Sequence, residues 1–517
     1  MRQTIKKESI LRGISTSNYF SQQGQFQNSI GIDPDMPVTD SGTRPCGLIR
    51  PTSMAKFSVT EVTGVPLWMI SNPKDTNCYV YANDGKCHVV NSSLAMGTAL
   101  NSGTALTSSS ANGSAYYDNY LYLAKNTDIA RYGPLNGSPT LVENYWTTTL
   151  SLTAPTNTTY PSINGVVMPN HTCFRHTNNV LYFCDVTSGN IGILNAIKTT
   201  KTTVEGDTNN VSAYNVIDFN YGWYPTAICN WEKYVLVALI EGTSTTVNQK
   251  PAKLILWDTI SSSFEDVTPD NFSDPLITAL RNINGTVYVW SGNATGGCRL
   301  SRFVAVQTLD CLAYIPDAYP PLAGAVDQFL TRIVWGSKIT TPAVAGVVYS
   351  YNSLYPEFSG IEKVQCILKS SATGANPYVT CLKYFAQSPA MPQPLIGYDD
   401  DSTKGLDKVS TTYDTSYFVD EMIRVGRPFK VERIIIPLAS AIVSGNTLTV
   451  KIYFDDGSSN LTLPVINNTN YSGQRNIDFK PQNAIGKNNF YIELSWSGTV
   501  LLTVGLPLVY EISIISD

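Results

Sequence analysis

Histidine is nearly missing from this chain: 517 residues hold three, His88, His171 and His176. Imidazole is the commonest metal ligand and the usual general base near neutral pH, so little material exists for either use. Charge is also scarce, at 15% of residues, with 35 Lys+Arg against 40 Asp+Glu and a formal net charge of -5. Beyond the opening MRQTIKK no basic cluster occurs, which argues against a phosphate-reading surface. The ten cysteines form no CxxC pair, and no G-x-S-x-G elbow, P-loop or dinucleotide fingerprint is present. Long apolar runs are lacking too. KKESILRGISTSNYF stays polar where a secretory signal would turn apolar, and TVLLTVGLPLVY (Thr499 to Tyr510) is shorter than the roughly 20 residues a bilayer demands. The expectation is a chain without an export signal or membrane anchor, its cysteines reduced and buried as small hydrophobes rather than paired.

Helical periodicity is almost absent as well, with no sustained stretch of apolar residues at i, i+3, i+4 and i+7. In its place, short β-branched and aromatic runs bounded by Gly, Asn, Asp, Pro and Ser recur throughout, helped by 30 Tyr and 17 Phe. With 43% hydrophobic residues the chain can build a substantial core, so the fold class is all-β and globular. A weak repeat runs through it. The phrase "polar turn, apolar-Tyr-apolar strand, turn, strand" appears at Cys78 to Val90, Tyr116 to Tyr132, His176 to Leu194, Asn230 to Thr259 and Asn282 to Phe303. Anchors at Tyr79, Tyr122, Tyr182, Val237 and Tyr288 lie about 43, 60, 55 and 51 residues apart. Propeller blades of four strands repeat at roughly 40–50 residues, so a β-propeller-like domain is expected, against the alternative of unrelated hairpins in stacked sandwiches. Further units at Thr331 to Asn352 and Glu362 to Phe385 bring the range to five to seven blades.

The texture changes at either end. Residues 1–53 mix aromatics, Gly, Pro and amides without a period and read as an extended N-terminal arm. The propeller-like domain is assigned to 54–397, a polar, turn-rich connector to 398–428, and a β-sandwich of jelly-roll type to 429–517. In TLTVKIYF, alternation places Leu448, Val450, Ile452 and Phe454 on one side.

Candidate chemistry is thin. HTCFRH puts His171, Cys173 and His176 near one another, with Cys184 downstream, but on a strand His176 faces away from the other two. Asp33, Asp35 and Asp40, the run Asp399 to Asp401, and Asp455 with Asp456 supply oxygen ligands without matching a calcium loop. Glu61, Glu143, Glu232 and Glu265 could furnish the facing carboxylates of a glycosidase, yet none stands in a recognisable catalytic phrase. The aromatic loop FNYGWYPT (Phe219 to Thr226) could stack on sugar rings or pack blades together. The expectation is no catalytic residue, no cofactor and no metal.

Four stretches carry a resemblance. SNYFSQQGQFQNSIGIDPDMPVTDSGTRPCGLIRPTSMAKF, GVPLWMI, YYDNYLYLAKNTDIARYGPLNG and the closing KVERIIIPLAS…KIYFDDG resemble virion structural proteins of tailed bacteriophages. Within that group the chain is similar to the propeller-rich tail nozzle, or packaged-DNA-stabilising, protein of short-tailed phages. The resemblance implies a non-enzymatic tail or nozzle ring protein, assembled in the host cytoplasm and resident in the virion. Its partners would be copies of itself in a ring and other virion proteins, with at most non-specific contact with DNA, which a slightly acidic wall would not hold. The competing implication is a fibre or decoration protein that binds a host surface glycan or receptor.

Overall fold

The structure, a computed structural model, describes residues 54–57, 62–71, 76–107, 109–111, 113–126, 128–152, 174–177, 179–187, 189, 191–199, 211–243, 246–247, 250–329, 332–340, 344–352, 364–385, 392–410, 413, 415–439, 441–455, 459–498, 504–505 and 508–515, with the short strands 2–7, 28–30, 47–48, 162–163 and 166–167. These residues are all-β, arranged in many small antiparallel sheets. They divide into two compact units, one of residues 55–346 with 370–408, the other of 1–54, 347–369 and 409–517.

The larger unit is a β-propeller. Its blades open with the strands Pro66–Ser71, Gly113–Tyr117, Phe174–Thr177, Trp223–Trp231, Leu276–Ile283, Val326–Phe329 and Tyr378–Phe385, which we number blades 1 to 7. Each of these first strands contacts the next in that order, and the seventh contacts the first, so the circle closes. The second strands are Cys78–Ala82, Tyr120–Ala124, Val180–Val186, Tyr234–Thr243, Thr286–Asn293, Arg332–Ile339 and Gln393–Asp399. All five repeat anchors fall on second strands, and the seven blades sit at the top of the range the spacing allowed. In blade 7 the third strand, Lys404–Val409, is followed in the sheet by Met54–Lys56 from the other end of the sequence. The next residue continues this join, Phe57 N donating to Leu406 O at 2.9 Å. The sheet therefore extends past residue 397, and the stretch 398–428 carries the strands Lys404–Val409, Ser416–Val419 and Ile423–Arg424.

Second strands are buried on both faces because each is sandwiched between neighbouring blades. In Val180–Val186 every residue is buried. Leu181 and Phe183 pack with Tyr122, Ala124 and Trp146 of blade 2, while Val180, Tyr182 and Cys184 pack with Ile228, Val237 and Trp257 of blade 4. Two apolar faces on one strand give a continuous apolar run in place of alternation. Between blades 7 and 1 the same layering joins Phe385, Leu395 and Leu406 to Cys78, Val80 and Val90.

A second device ties blade to blade. The first strands of blades 1, 4, 5 and 7 each carry a bulge, at Leu67, Thr226, Thr278 and Thr380 respectively. A bulge leaves one residue out of the ladder and re-aims it. Thr226 Oγ1 donates to Ile277 O of blade 5 at 2.6 Å, and Thr380 Oγ1 donates to Pro66 O of blade 1 at 2.5 Å. Tyr81 OH reaches Ala124 O at 3.0 Å and Tyr117 OH reaches Asn179 O at 2.8 Å, each one blade onward.

Among its described residues the smaller unit has two main antiparallel sheets. One runs Arg2–Lys7, Leu508–Ile514, Phe429–Pro437, Asn476–Phe479; the other runs Asn28–Ile30, Ser416–Val419, Asn489–Gly498, Asn446–Phe454, Leu461–Thr462. Aromatic rings join them: Phe429 lies 5.3 Å from Phe490, and Phe490 lies 5.9 Å from Tyr510. Asn446–Phe454 alternates strictly, with Leu448, Val450 and Ile452 fully buried and their neighbours half-exposed. Residues 1–53 supply edge strands here, Arg2 to Lys7 lying antiparallel to Ser513 to Leu508 and Gly47–Leu48 pairing with Val504–Gly505.

Candidate functional site

The first strands of blades 1, 2, 5, 6 and 7 line a half-open hollow of about 230 Å³. Its exposed surface is chiefly polar, and Trp68, Met69 and Leu382 are among the residues that border it. The turn Ala323–Ala325, which leads into blade 6, lies against the first strands of blades 1, 5 and 7. Glycine is required at its centre, since a Cβ on Gly324 would stand 1.9 Å from Leu67 O. That close approach lets the turn reach blade 1 past blade 7 and form part of the cavity wall, which includes Ala323 and Gly324.

Charge in this cavity is concentrated on three residues from three blades. Asp327, at 3% exposure, accepts from Arg281 Nη2 at 3.4 Å and Lys383 Nζ at 3.0 Å on one oxygen, and from Tyr384 N at 2.8 Å on the other. Two cations therefore share one carboxylate, leaving a formal charge of +1. Ser71 and Ser114 add hydroxyls to the lining. Trp68 Nε1 is already committed to Ala111 O at 2.8 Å.

A second hollow of about 200 Å³ lies beside blade 4, lined by Asn220, Trp223, Lys253, Phe264 and Asp266 among others. It adjoins the aromatic loop singled out in the sequence. Tyr221 is 74% exposed, whereas Phe219 and Tyr224 are buried between blades. One face of Trp223 is covered by Lys253 Nζ, 4.8 Å from the ring centroid, and the same ammonium pairs with Asp266 at 2.9 Å.

The acids proposed from sequence are dispersed. Glu143 follows the last strand of blade 2 and accepts from Thr107 Oγ1 at 2.6 Å and Lys125 Nζ at 3.3 Å. Burial works to raise its carboxyl, but those bonds outweigh it and hold the group below the usual range. Glu232 sits in the left-handed turn of blade 4, and Glu265 is exposed on that blade's outermost strand. Asp400 is fully buried, yet donors from Thr403, Ser402 and Gly374 more than offset desolvation and lower its pKa. Asp401 pairs with Asn376, and Asp455 accepts from Asn489 N at 3.0 Å. Asp400 caps its own turn by accepting from Ser402 N and Thr403 N, and Glu143 and Asp455 tie loops together, which are ordinary structural uses. Asp33, Asp35, Asp40, Glu61, Asp456, His171 and Cys173 lie outside the described residues, as does the side chain of His176. His88 and Cys184 are buried within blades 1 and 3. Among the described residues no group of three or more His, Cys, Asp or Glu is placed to hold a metal ion, and no helix is long and apolar enough to cross a membrane.

Arg281, Asp327 and Lys383 escape sequence reasoning because they are 46 and 56 residues apart and belong to no local motif. A signal for the ring itself does exist. The pattern aromatic-or-Leu, x, Thr, Ala-or-Cys, Ile-or-Leu recurs at Tyr224–Ile228, Leu276–Leu280 and Tyr378–Leu382, its threonines 52 and then 102 residues apart, the second interval being twice 51.

No family model matches this chain, and no curated relative does. Among solved structures it is similar to the RRP9 WD40 repeats, at 12% identity and TM-score 0.41, over 70% of this chain and 99% of that one. The Neurospora crassa Pan2 WD40 domain is similar at 9% identity and TM-score 0.41, over 70% and 95% of the two chains. An exo-β-1,3-galactanase from Phanerochaete chrysosporium with galactose follows at 9% identity and TM-score 0.30, over 69% and 99%.

Proposed function

We propose that this chain is a non-catalytic building component of a tailed-phage particle, a tail or nozzle ring protein that assembles with copies of itself and with other virion proteins. The reading is supported by where the resembling stretches fall. GVPLWMI spans most of the first strand of blade 1, YYDNYLYLAKNTDIARYGPLNG contains the middle strands of blade 2, and KVERIIIPLAS with KIYFDDG covers strands of the two smaller-unit sheets. Those three stretches therefore lie on strands of the scaffold, while most of SNYFSQQGQFQNSIGIDPDMPVTDSGTRPCGLIRPTSMAKF lies outside the described residues. In the same reading the smaller unit is a β-sandwich, its two sheets meeting through Phe429, Phe490 and Tyr510. A DNA passage would lie between copies and not through one propeller, since the turn Ala323–Ala325 lies against strands from three other blades inside the ring.

Native mass spectrometry of the purified full-length chain tests this. The expected result is a closed homo-oligomer of one size; a monomer at every concentration overturns the ring. The hollow beside Trp223, with Tyr221 exposed next to it, favours a second reading as a glycan-binding fibre or decoration protein. A glycan array separates the two: specific retention lost in Tyr221→Ala would move the assignment to the second.

A further inference from the structure

We propose that the strand Arg2–Lys7 is exchanged between copies of this chain, so that residues 2–7 of one copy complete the sheet edge at Leu508–Ile514 of the next. The exchange rests on the reading of this chain as a ring protein and supplies the tie between neighbours. Arg2–Lys7 lies at the edge of its sheet and runs antiparallel to Leu508–Ile514 over six opposed pairs, from Arg2 opposite Ser513 to Lys7 opposite Leu508. It adds a ladder to that sheet but little core. Arg2, Gln3, Thr4 and Lys6 are exposed and Ile5 is half-buried, whereas Leu508, Tyr510 and Ile512 of the strand beside it are buried. A strand docked in this way is held by its backbone, and an identical strand from another copy fits the same edge in the same register.

The connection behind the strand has length to spare. Residues 8–27 separate it from the next strand, Asn28–Ile30, which pairs with Ser416–Val419 in the second sheet of the same unit. Connections within compact domains are mostly about 4–6 residues long. Fully extended, about 20 residues reach roughly 70 Å, several times the spacing of about 10 Å between packed sheets. The arm also has a fixed root, since Asn28–Ile30 and Gly47–Leu48 remain paired with Ser416–Val419 and Val504–Gly505 when the first strand leaves. Without that strand, Leu508–Ile514 would present a row of unpaired backbone groups, a template on which chains associate. Exchange around a closed ring fills this edge in every copy and turns each ladder into a link between neighbours.

Cysteine cross-linking of the full-length protein tests the exchange. Lys6 stands opposite Val509, and opposed residues of antiparallel strands have Cα atoms about 4.5–5.5 Å apart, within the roughly 4.4–6.8 Å that a disulfide spans. The chain carrying Lys6→Cys and Val509→Cys is oxidised and run on denaturing, non-reducing electrophoresis beside wild type, which reports any link made by the native cysteines. Native mass spectrometry of the same samples reports the ring. The expected result is a covalent ladder of copies ending at the size of the ring and collapsing to single chains in reductant. Single chains with an internal link inside an intact ring overturn the exchange and leave the ring reading standing, whereas single copies in native mass spectrometry overturn both. Absence of any new link places the strand off this edge and overturns the exchange as well. A chain lacking residues 2–7 makes the test independent of the cysteines. It should stay folded by circular dichroism, because the strand adds little core, yet its ring should dissociate at a concentration about tenfold or more above that of wild type. A truncated ring as persistent as wild type would overturn the exchange.

Discussion

The propeller and the smaller unit use the same strand for different kinds of layering. A second strand in a blade, such as Val180–Val186, is buried along its whole length because a blade lies against each face. Asn446–Phe454 in the smaller unit alternates buried and half-exposed, because one face meets a sheet and the other does not. Tolerance to substitution should therefore depend on parity in one unit and not in the other.

The largest effects test that difference. Leu181→Ala and Tyr182→Ala are neighbours facing opposite blades, and each should cost about 2–5 kcal/mol in chemical denaturation. Val450→Ala should cost about 1–3 kcal/mol, while its neighbour Thr449→Ala should stay within about 0.5 kcal/mol. Equal losses at Val450 and Thr449, or a silent Tyr182, would break the comparison.

Next in size is a titration confined to the propeller. Asp407 is fully buried, and desolvation pushes its carboxyl up to about 6 against bonds from Ser371 N at 2.7 Å and Ser371 Oγ at 2.5 Å and the nearby Lys56 charge. The folded chain thus holds this proton to higher pH than the unfolded chain does. Stability from this group is highest below about pH 4 and falls as pH rises to about 6, by about 2–3 kcal/mol in all. Asp407→Asn should raise the melting temperature at pH 8, with the gain vanishing near pH 4. A gain of equal size at both pH values would contradict the assignment.

The smallest effect sharpens the account of how blades are joined. Thr380→Val removes the bond to Pro66 O and should cost about 1–2 kcal/mol by leaving that carbonyl short of a donor. Thr278 occupies the matching bulge, yet its Oγ1 has no hydrogen-bond partner, so Thr278→Val should be neutral or stabilising. Comparable losses in the two variants would show that the bulged threonine acts through packing alone.

Much of this architecture was legible because burial leaves a periodic trace. Tyr79, Tyr122, Tyr182, Val237 and Tyr288 marked the repeat, and each sits on a second strand, where cover on both faces concentrates apolar residues. The closing blade was harder to see. Its outermost strand, Met54–Lys56, has three residues, and its partner Lys404–Val409 lies at the far end of the propeller sequence, so neither periodicity nor spacing connects them. The unit Glu362 to Phe385 read from sequence takes in Val364–Lys369 and the first strand of blade 7, because turn signals do not distinguish a loop within a blade from one between blades. The threonine pattern was present at three positions but is only five residues long in a chain rich in Thr. The cavity charges could not be read at all, since only ring closure gathers Arg281, Asp327 and Lys383.

Electron cryo-microscopy of the purified full-length chain is the most direct check on the whole account. It should reveal discs of seven spokes, with the strand at Met54 completing the last, repeated around a closed ring of identical copies. A map of isolated copies, or one with any other number of spokes, would contradict it.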